Sequence, residues 1–272
     1  MAIWTYDGTF TGLLSTLAEL FRRGEEPEDL IPQGDDPGMS EGACRHSSAL
    51  DVGRAALRDL ASTQGVLFGT ERVPTDPDRA EAIASAVRRH LGDRAFEALL
   101  LAFLSERPRI ETALWRFLEA GRRNGPEFLR RLEDPRVRSI LLARRAVCAE
   151  AHRFLGILRF AQVGNVLYAP FEPGCDILEL LAPHFARRLP EERWVLHDVR
   201  RRKALAHRDG RVVPLEAPGE PLPIREDRQF RDLWRLYFET ARIDHRANLK
   251  LQKRFIPERY WKYLPEKAPA LL

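Results

Sequence analysis

The chain is 272 residues long, 44% hydrophobic and 31% charged, with a formal net charge of +4. This is ordinary globular usage for one or two cores, and it excludes a disordered chain, a collagen-like chain and a coiled-coil rod. No apolar run reaches the ~18 residues that a bilayer span requires, so a membrane protein is not expected.

Trp4, Thr5 and Tyr6 read as a short strand ending at the turn pair Asp7-Gly8. Phe10, Leu13, Leu14, Leu17 and Phe21 then recur at helical spacing, which predicts an amphipathic helix over residues 10–23, stopped by Gly24. From residue 25 to about 62, acids, prolines and glycines dissolve the pattern. A long surface loop is expected there, interrupted by a helical piece at 49–60.

The middle of the chain is helical. Asp76-Pro77 supplies a cap and a first-turn proline, and Gly92 closes that helix. Asp93 caps a second helix whose Phe96, Leu99, Leu100, Phe103 and Leu104 form one apolar stripe. Pro108 starts a third, with Ile110, Ala113, Leu114, Phe117 and Leu118 facing inward. Asp134-Pro135 begins a fourth that runs to about Ala151, and the short connections predict a bundle.

The period then changes. Residues 154–160 and 166–171 read as strands around the turn pair Gly164-Asn165. Asp176 with Glu179 reads as a capping box for a helix over 177–189. Residues 194–199 and 203–207 are strand-like, and Asp209-Gly210 turns the chain into a further strand at 211–215. Pro214, Pro218, Pro221 and Pro223 mark a linker, and Phe230, Leu233, Trp234, Tyr237 and Phe238 a last amphipathic helix. The expected class is α+β: a bundle-like helical middle, a small antiparallel sheet with a helix, and a C-terminal amphipathic helix. The expected segments are 1–75, 76–152 and 153–272.

Charge is unevenly placed. Residues 19–41 sum to −6, residues 122–159 to +6 and residues 245–267 to +5. Four of the five lysines fall in that last stretch, where cations alternate with planar rings: Lys250, Lys253, Arg254, Phe255, Arg259, Tyr260, Trp261, Lys262, Tyr263. Cations meet phosphate and unpaired bases stack on aromatic faces, so this pattern suits a nucleic acid. It equally suits a terminus pinned to the core by Trp261 and Tyr263 with its lysines solvated, and the two readings are compatible. Arg200, Arg201, Arg202 and Lys203 form a second run, read either as a phosphate-binding stripe or as a solvated strand edge that blocks aggregation.

Signals for chemistry are thin. There is no glycine-rich phosphate loop, no His-x-x-x-His pair and no nucleophile elbow. Glu172, Asp176, His197 and Asp198 are the catalytic candidates, and they work only if the fold gathers them into one pocket. Asp176 as a cap and His197 as a satisfied strand histidine are the structural alternatives. Cys44, Cys148 and Cys175 are too few and scattered for a disulfide framework or a zinc site, so neither metal nor cofactor is expected. The N-terminus lacks a basic, then apolar, export pattern, which predicts a cytoplasmic location.

Four stretches carry a family resemblance: Tyr6-Asp7-Gly8-Thr9-Phe10-Thr11-Gly12-Leu13-Leu14, His152-Arg153-Phe154-Leu155-Gly156, Leu178-Glu179-Leu180-Leu181-Ala182-Pro183-His184-Phe185-Ala186 with Arg188-Leu189, and Arg259-Tyr260-Trp261-Lys262-Tyr263-Leu264-Pro265-Glu266. Together they resemble an uncharacterised bacterial family of DNA repair or DNA metabolism proteins. The C-terminal part of that family also occurs fused to uracil-DNA glycosylase-like domains, and the stand-alone form is partnered with a radical S-adenosylmethionine protein. The resemblance implies a DNA context and such a protein partner. The chain itself lacks the Cys-x-x-x-Cys-x-x-Cys motif of the radical enzyme and any glycosylase motif. The expectation is therefore a DNA-binding accessory subunit, using Arg200–Lys203 and Lys250–Lys262 on phosphate and Tyr260 or Trp261 for stacking. An enzyme acting on a damaged base or nucleotide, and a protein–protein adaptor, are the alternatives.

Overall fold

The computed structural model describes residues 2–33, 70–222, 233–234, 236–237, 240–241 and 248–267. The expected helical piece at 49–60, most of the acidic loop, Cys44, Pro223, Phe230 and Phe238 lie outside the described residues. The chain forms two compact units, Met1–Val147 and Cys148–Leu272.

In the first unit, β1 (Ile3–Tyr6) leads into α1 (Phe10–Arg23). The Thr9 hydroxyl caps α1 by accepting from the Gly12 amide at 2.9 Å. Gly24 ends the helix at φ 69°, a left-handed conformation that glycine adopts without a Cβ penalty. The loop expected after it is broken by β2 (Asp29–Pro32), which pairs parallel with β1 in the register Ile3↔Asp29. Composition misled there because Leu30 is buried in the core, while Asp29 accepts from Thr112 and pairs with Arg109. β3 (Thr70–Arg72) pairs parallel on the other side, giving the order β2-β1-β3.

Helices α2 (Pro77–Leu91), α3 (Asp93–Phe103) and α4 (Ile110–Asn124) follow the predicted stripes. A 3₁₀ turn (Pro126–Arg130) leads to α5 (Pro135–Ile157). Trp4, Tyr6, Leu13, Leu17, Leu30, Leu99, Leu114, Phe117 and Ile140 share one core, so the N-terminal strands and the helices that follow build a single body.

The second unit takes the last turns of α5. Residues 154–157, expected as the start of a strand, complete this helix, and the strand is the shorter β4 (Ala161–Val163). Phe154 and Ile157 are buried one turn apart, and Phe154 packs on Phe171 and Tyr260 with ring centroids 5.2 and 4.8 Å away. β5 (Val166–Phe171), α6 (Leu178–Arg188), β6 (Trp194–Asp198), β7 (Lys203–Arg208) and β8 (Arg211–Glu216) follow. The sheet order is β4-β5-β6-β7-β8.

The class is α+β as expected, but the sheet is mixed. β5 and β6 run parallel, Leu167↔Trp194 through Phe171↔Asp198, because α6 carries the chain back between them. The other pairings are antiparallel, and Asp209 and Gly210 make the β7–β8 turn at φ 52° and 73°. The described residues at 233–234, 236–237 and 240–241 are helical. α7 (Leu249–Phe255) and a 3₁₀ segment (Glu258–Tyr263) complete the described chain. No described helix is long and apolar enough to cross a membrane.

Candidate nucleic-acid interface

The parallel pair decides where the polar residues of the second unit collect. The carboxyl ends of β5 and β6 release two loops side by side, residues 172–177 and 199–202, and Val199 N–H bonds the Phe171 carbonyl at 3.1 Å. Such an end is where open α/β sheets gather functional groups. Here the C-terminal segment fills it.

Glu150 is the centre of this arrangement. It lies on α5 in the spacing 143, 147, 150, 154, 157, an acid on a stripe of buried Ala, Val, Phe and Ile, and it is 4% exposed. Its Oε1 accepts from the Gly174 amide at 2.9 Å, Arg259 Nη2 at 3.2 Å and the Tyr260 hydroxyl, and its Oε2 from the Cys175 amide at 2.7 Å. Burial pushes this carboxyl up, but the hydroxyl and the two amides outweigh it and hold the group below the usual glutamate value. Tyr260 moves the opposite way, to about 12, through burial and the carboxylate it faces. Gly174 permits the approach, since a Cβ there would stand 3.3 Å from Glu150 Oε1.

A second carboxylate grips the same segment. Glu172 accepts from Lys262 Nζ at 2.6 Å and from the Tyr263 hydroxyl at 2.5 Å. Burial and that carboxylate raise the Tyr263 pKa. Trp261 Nε1 donates to the Ile256 carbonyl at 2.9 Å, so this ring closes a local turn. Tyr260, expected as a stacking residue, is 1% exposed and cannot offer a ring face to a base.

Cations of the run at 200–203 also find partners within the protein. Arg201 binds Asp198 at 2.7 Å and the carbonyls of Pro173 and Gly174 at 3.3 and 3.0 Å, and Arg200 reaches the Gly174 carbonyl at 3.3 Å. Lys203 Nζ bonds Asp176 at 3.1 Å. Arg202 adopts φ 54°, and its carbonyl accepts from Ala217 at 3.1 Å. Asp176 therefore does not cap α6, whose N-cap is Ile177 with no side-chain cap bond. That capping-box reading fails because Asp176 sits one residue too early and is drawn to Lys203.

The four catalytic candidates are split. Glu172, Asp176 and Asp198 belong to the strand-end cluster, each with a basic partner in the protein. His197, adjacent to Asp198 on β6, projects to the opposite face, as strand alternation requires. Its Nε2 donates to the Pro218 carbonyl at 3.0 Å, which fixes the neutral tautomer, and its Nδ1 accepts from Tyr168 at 2.5 Å. The Tyr168 oxygen in turn accepts from the Leu222 amide at 3.1 Å. Burial lowers the His197 pKa, opposed by its bond to Pro218, and it raises Asp198 to about 6 against the pull of Arg201. His197 is a satisfied strand histidine.

What stays outside is α7. Asn248 caps it, accepting from Leu251 N–H at 2.9 Å, and Lys250, Lys253 and Arg254 are exposed along it. Lys253 reaches Glu258 at 2.7 Å. Phe255, 64% exposed, ends this helix next to Arg254 in the chain, with Leu249 and Leu251 also exposed. The sequence places Phe255 among the rings of this segment without separating it from Tyr260 and Tyr263, which carry the anchoring. Glu150 was passed over because it sits in an arginine-rich helix, although its place on the apolar stripe was the available signal.

Among the described residues, no group of three or more His, Cys, Asp and Glu is placed to hold a metal ion. Among curated proteins, none matches the chain. A domain of unknown function, DUF4130, matches residues 108–266, which is more than half of the sequence and covers the whole strand-end cluster with its C-terminal clasp. The chain belongs to the DUF4130 family.

Proposed function

We propose that this protein binds DNA through its C-terminal segment and serves as an accessory subunit in DNA repair or modification, with a radical S-adenosylmethionine protein as its partner enzyme. The observation that carries the DNA reading is that one short helix exposes both Phe255, 64% exposed, and the cations Lys250, Lys253 and Arg254. The cations meet phosphate and the ring stacks on an unpaired base, a contact worth ~1–3 kcal/mol. Glu150 and Glu172 act as positioning residues. They clamp Tyr260, Lys262 and Tyr263, and so fix the segment from which α7 projects. The partner and the repair setting rest on the family resemblance of the quoted stretches.

Phe255→Ala tests the stacking role. Weakened binding to single-stranded DNA by about tenfold, with duplex binding unchanged, is the expected result. Equal affinity of both proteins for single strands would remove Phe255 from the interface. A second reading is favoured by one feature: Leu249 and Leu251 are exposed beside Phe255, and such a patch suits a protein partner. In that adaptor role α7 docks on the partner enzyme and its affinity depends weakly on salt.

A further inference from the structure

The first unit carries a site that the C-terminal segment does not use. A cleft of about 570 Å³ opens beside the end of α1 and along α4, within the ~300–1,000 Å³ range of small-molecule sites. Phe21, half-buried, and the exposed 8% of Trp115 give it a partial aromatic wall. Arg116, Arg123 and Arg136 stand on its rim, drawn from two different helices.

Those arginines are not equivalent. Arg123 shares Glu119 with Arg122, at 2.7 and 3.4 Å. Arg136 is held by Asp134 through two bonds of 3.0 and 2.7 Å, so its guanidinium is set in place before any ligand arrives. Arg116, one turn from Glu119 and two from Arg123, has no carboxylate partner among the described residues. Glu26, which also lines the cleft, is exposed and has no basic partner among the described residues.

A ligand for this cleft must satisfy three demands together. It needs an anionic group for the arginines, a planar apolar face for Phe21 and Trp115, and N–H donors for Glu26. Inorganic phosphate meets the first alone, and an uncharged ring leaves the guanidinium groups unused. We infer that the cleft binds a nucleoside phosphate, with its phosphate at Arg116, Arg123 and Arg136 and its base against the aromatic wall. The ligand is either a free nucleotide or one nucleotide of a single strand. The inference stands apart from the reading of α7, since it uses no residue of the second unit.

The test is isothermal titration of the full chain with deoxyadenosine and thymidine 5′-monophosphates, deoxyadenosine and inorganic phosphate. Both monophosphates are expected to bind, with deoxyadenosine and phosphate at least about tenfold weaker. Arg116→Gln with Arg123→Gln should weaken monophosphate binding by about tenfold or more without moving the thermal midpoint, because both side chains are exposed. Lys250→Ala with Arg254→Ala should leave it unchanged, which separates this site from the α7 interface. In that α7 variant, a short single strand displacing the monophosphate at far lower concentration assigns the site to a strand. Displacement only at matched nucleotide concentration assigns it to the free nucleotide. Absence of monophosphate binding, phosphate binding as tightly as monophosphate, or unchanged binding in the Arg116/Arg123 variant would each overturn the inference.

Discussion

The Tyr260 hydroxyl donates to the carboxylate of Glu150, a residue 110 positions earlier in the chain, and Arg259 Nη2 meets the same two oxygens at 2.6 and 3.2 Å. With the Gly174 and Cys175 amides on the same carboxylate, this clasp ties a helix, the loop after β5 and the C-terminal segment together. It makes the end of the parallel pair a structural anchor, and it leaves the cations of α7 exposed.

Removing the hydroxyl should loosen that anchor. Tyr260→Phe takes one charge-assisted bond from a buried carboxylate and is expected to cost about 1–3 kcal/mol of unfolding free energy. Chemical denaturation of the purified variant measures it. A midpoint equal to that of the parent protein would mean that the clasp carries no load.

Two buried carboxyls should give opposite pH signatures. Glu150 is held below its ordinary 4.5, so the stability it provides is complete above about pH 4.5 and is lost as pH falls through its lower folded value. Asp198 is raised from 3.8 to about 6, so the folded state binds its proton more tightly than the unfolded state does. Its contribution therefore declines as pH rises from about 4 to about 6 and is level above that. Stability profiles of Glu150→Gln and Asp198→Asn against the parent separate the two. The difference should grow with pH for the first, below about 4.5, and shrink with pH for the second, between about 4 and 6. Profiles parallel to the parent in both variants would contradict the assigned environments.

Gly174 should tolerate no side chain. In Gly174→Ala the new Cβ stands 3.3 Å from Glu150 Oε1 and 3.4 Å from Arg259 Nη2, so the clasp must open slightly to admit it. A loss of roughly 1–3 kcal/mol is expected, as for other overpacked sites. A thermal scan of the variant reads the effect, and an unchanged or higher midpoint would show that the loop yields freely.

The helices were legible because their stripes and caps are local: Gly24, Asp76 and Pro77 stand where the backbone needs them, whereas Asp93, expected as a cap, is the first residue of α3 and makes no cap bond. β2 was hidden because Leu30 and Ile31 are only two apolar residues among acids and prolines, and only their partner β1 makes them a strand. The parallel β5–β6 pairing had a local signal, since a helix between two neighbouring strands returns the chain for parallel pairing, but the hairpins on either side suggested one antiparallel sheet. In the candidate site, composition identified the C-terminal segment as unusual, yet it did not sort anchors from exposed groups. Tyr260 and Phe255 have similar neighbours in sequence, and only the location of Glu150 decides which ring is buried.

The salt dependence of single-stranded DNA binding puts the exposed α7 cations to the test. Fluorescence anisotropy across a potassium chloride series would compare the parent with Lys250→Ala/Lys253→Ala/Arg254→Ala. The parent is expected to lose affinity steeply with salt. In the variant, affinity should fall and the slope of log K against log salt should drop by about 2, near 0.7 per phosphate contact removed. Equal affinity and equal slope in the two proteins would place any DNA contact elsewhere and would leave α7 to a protein partner.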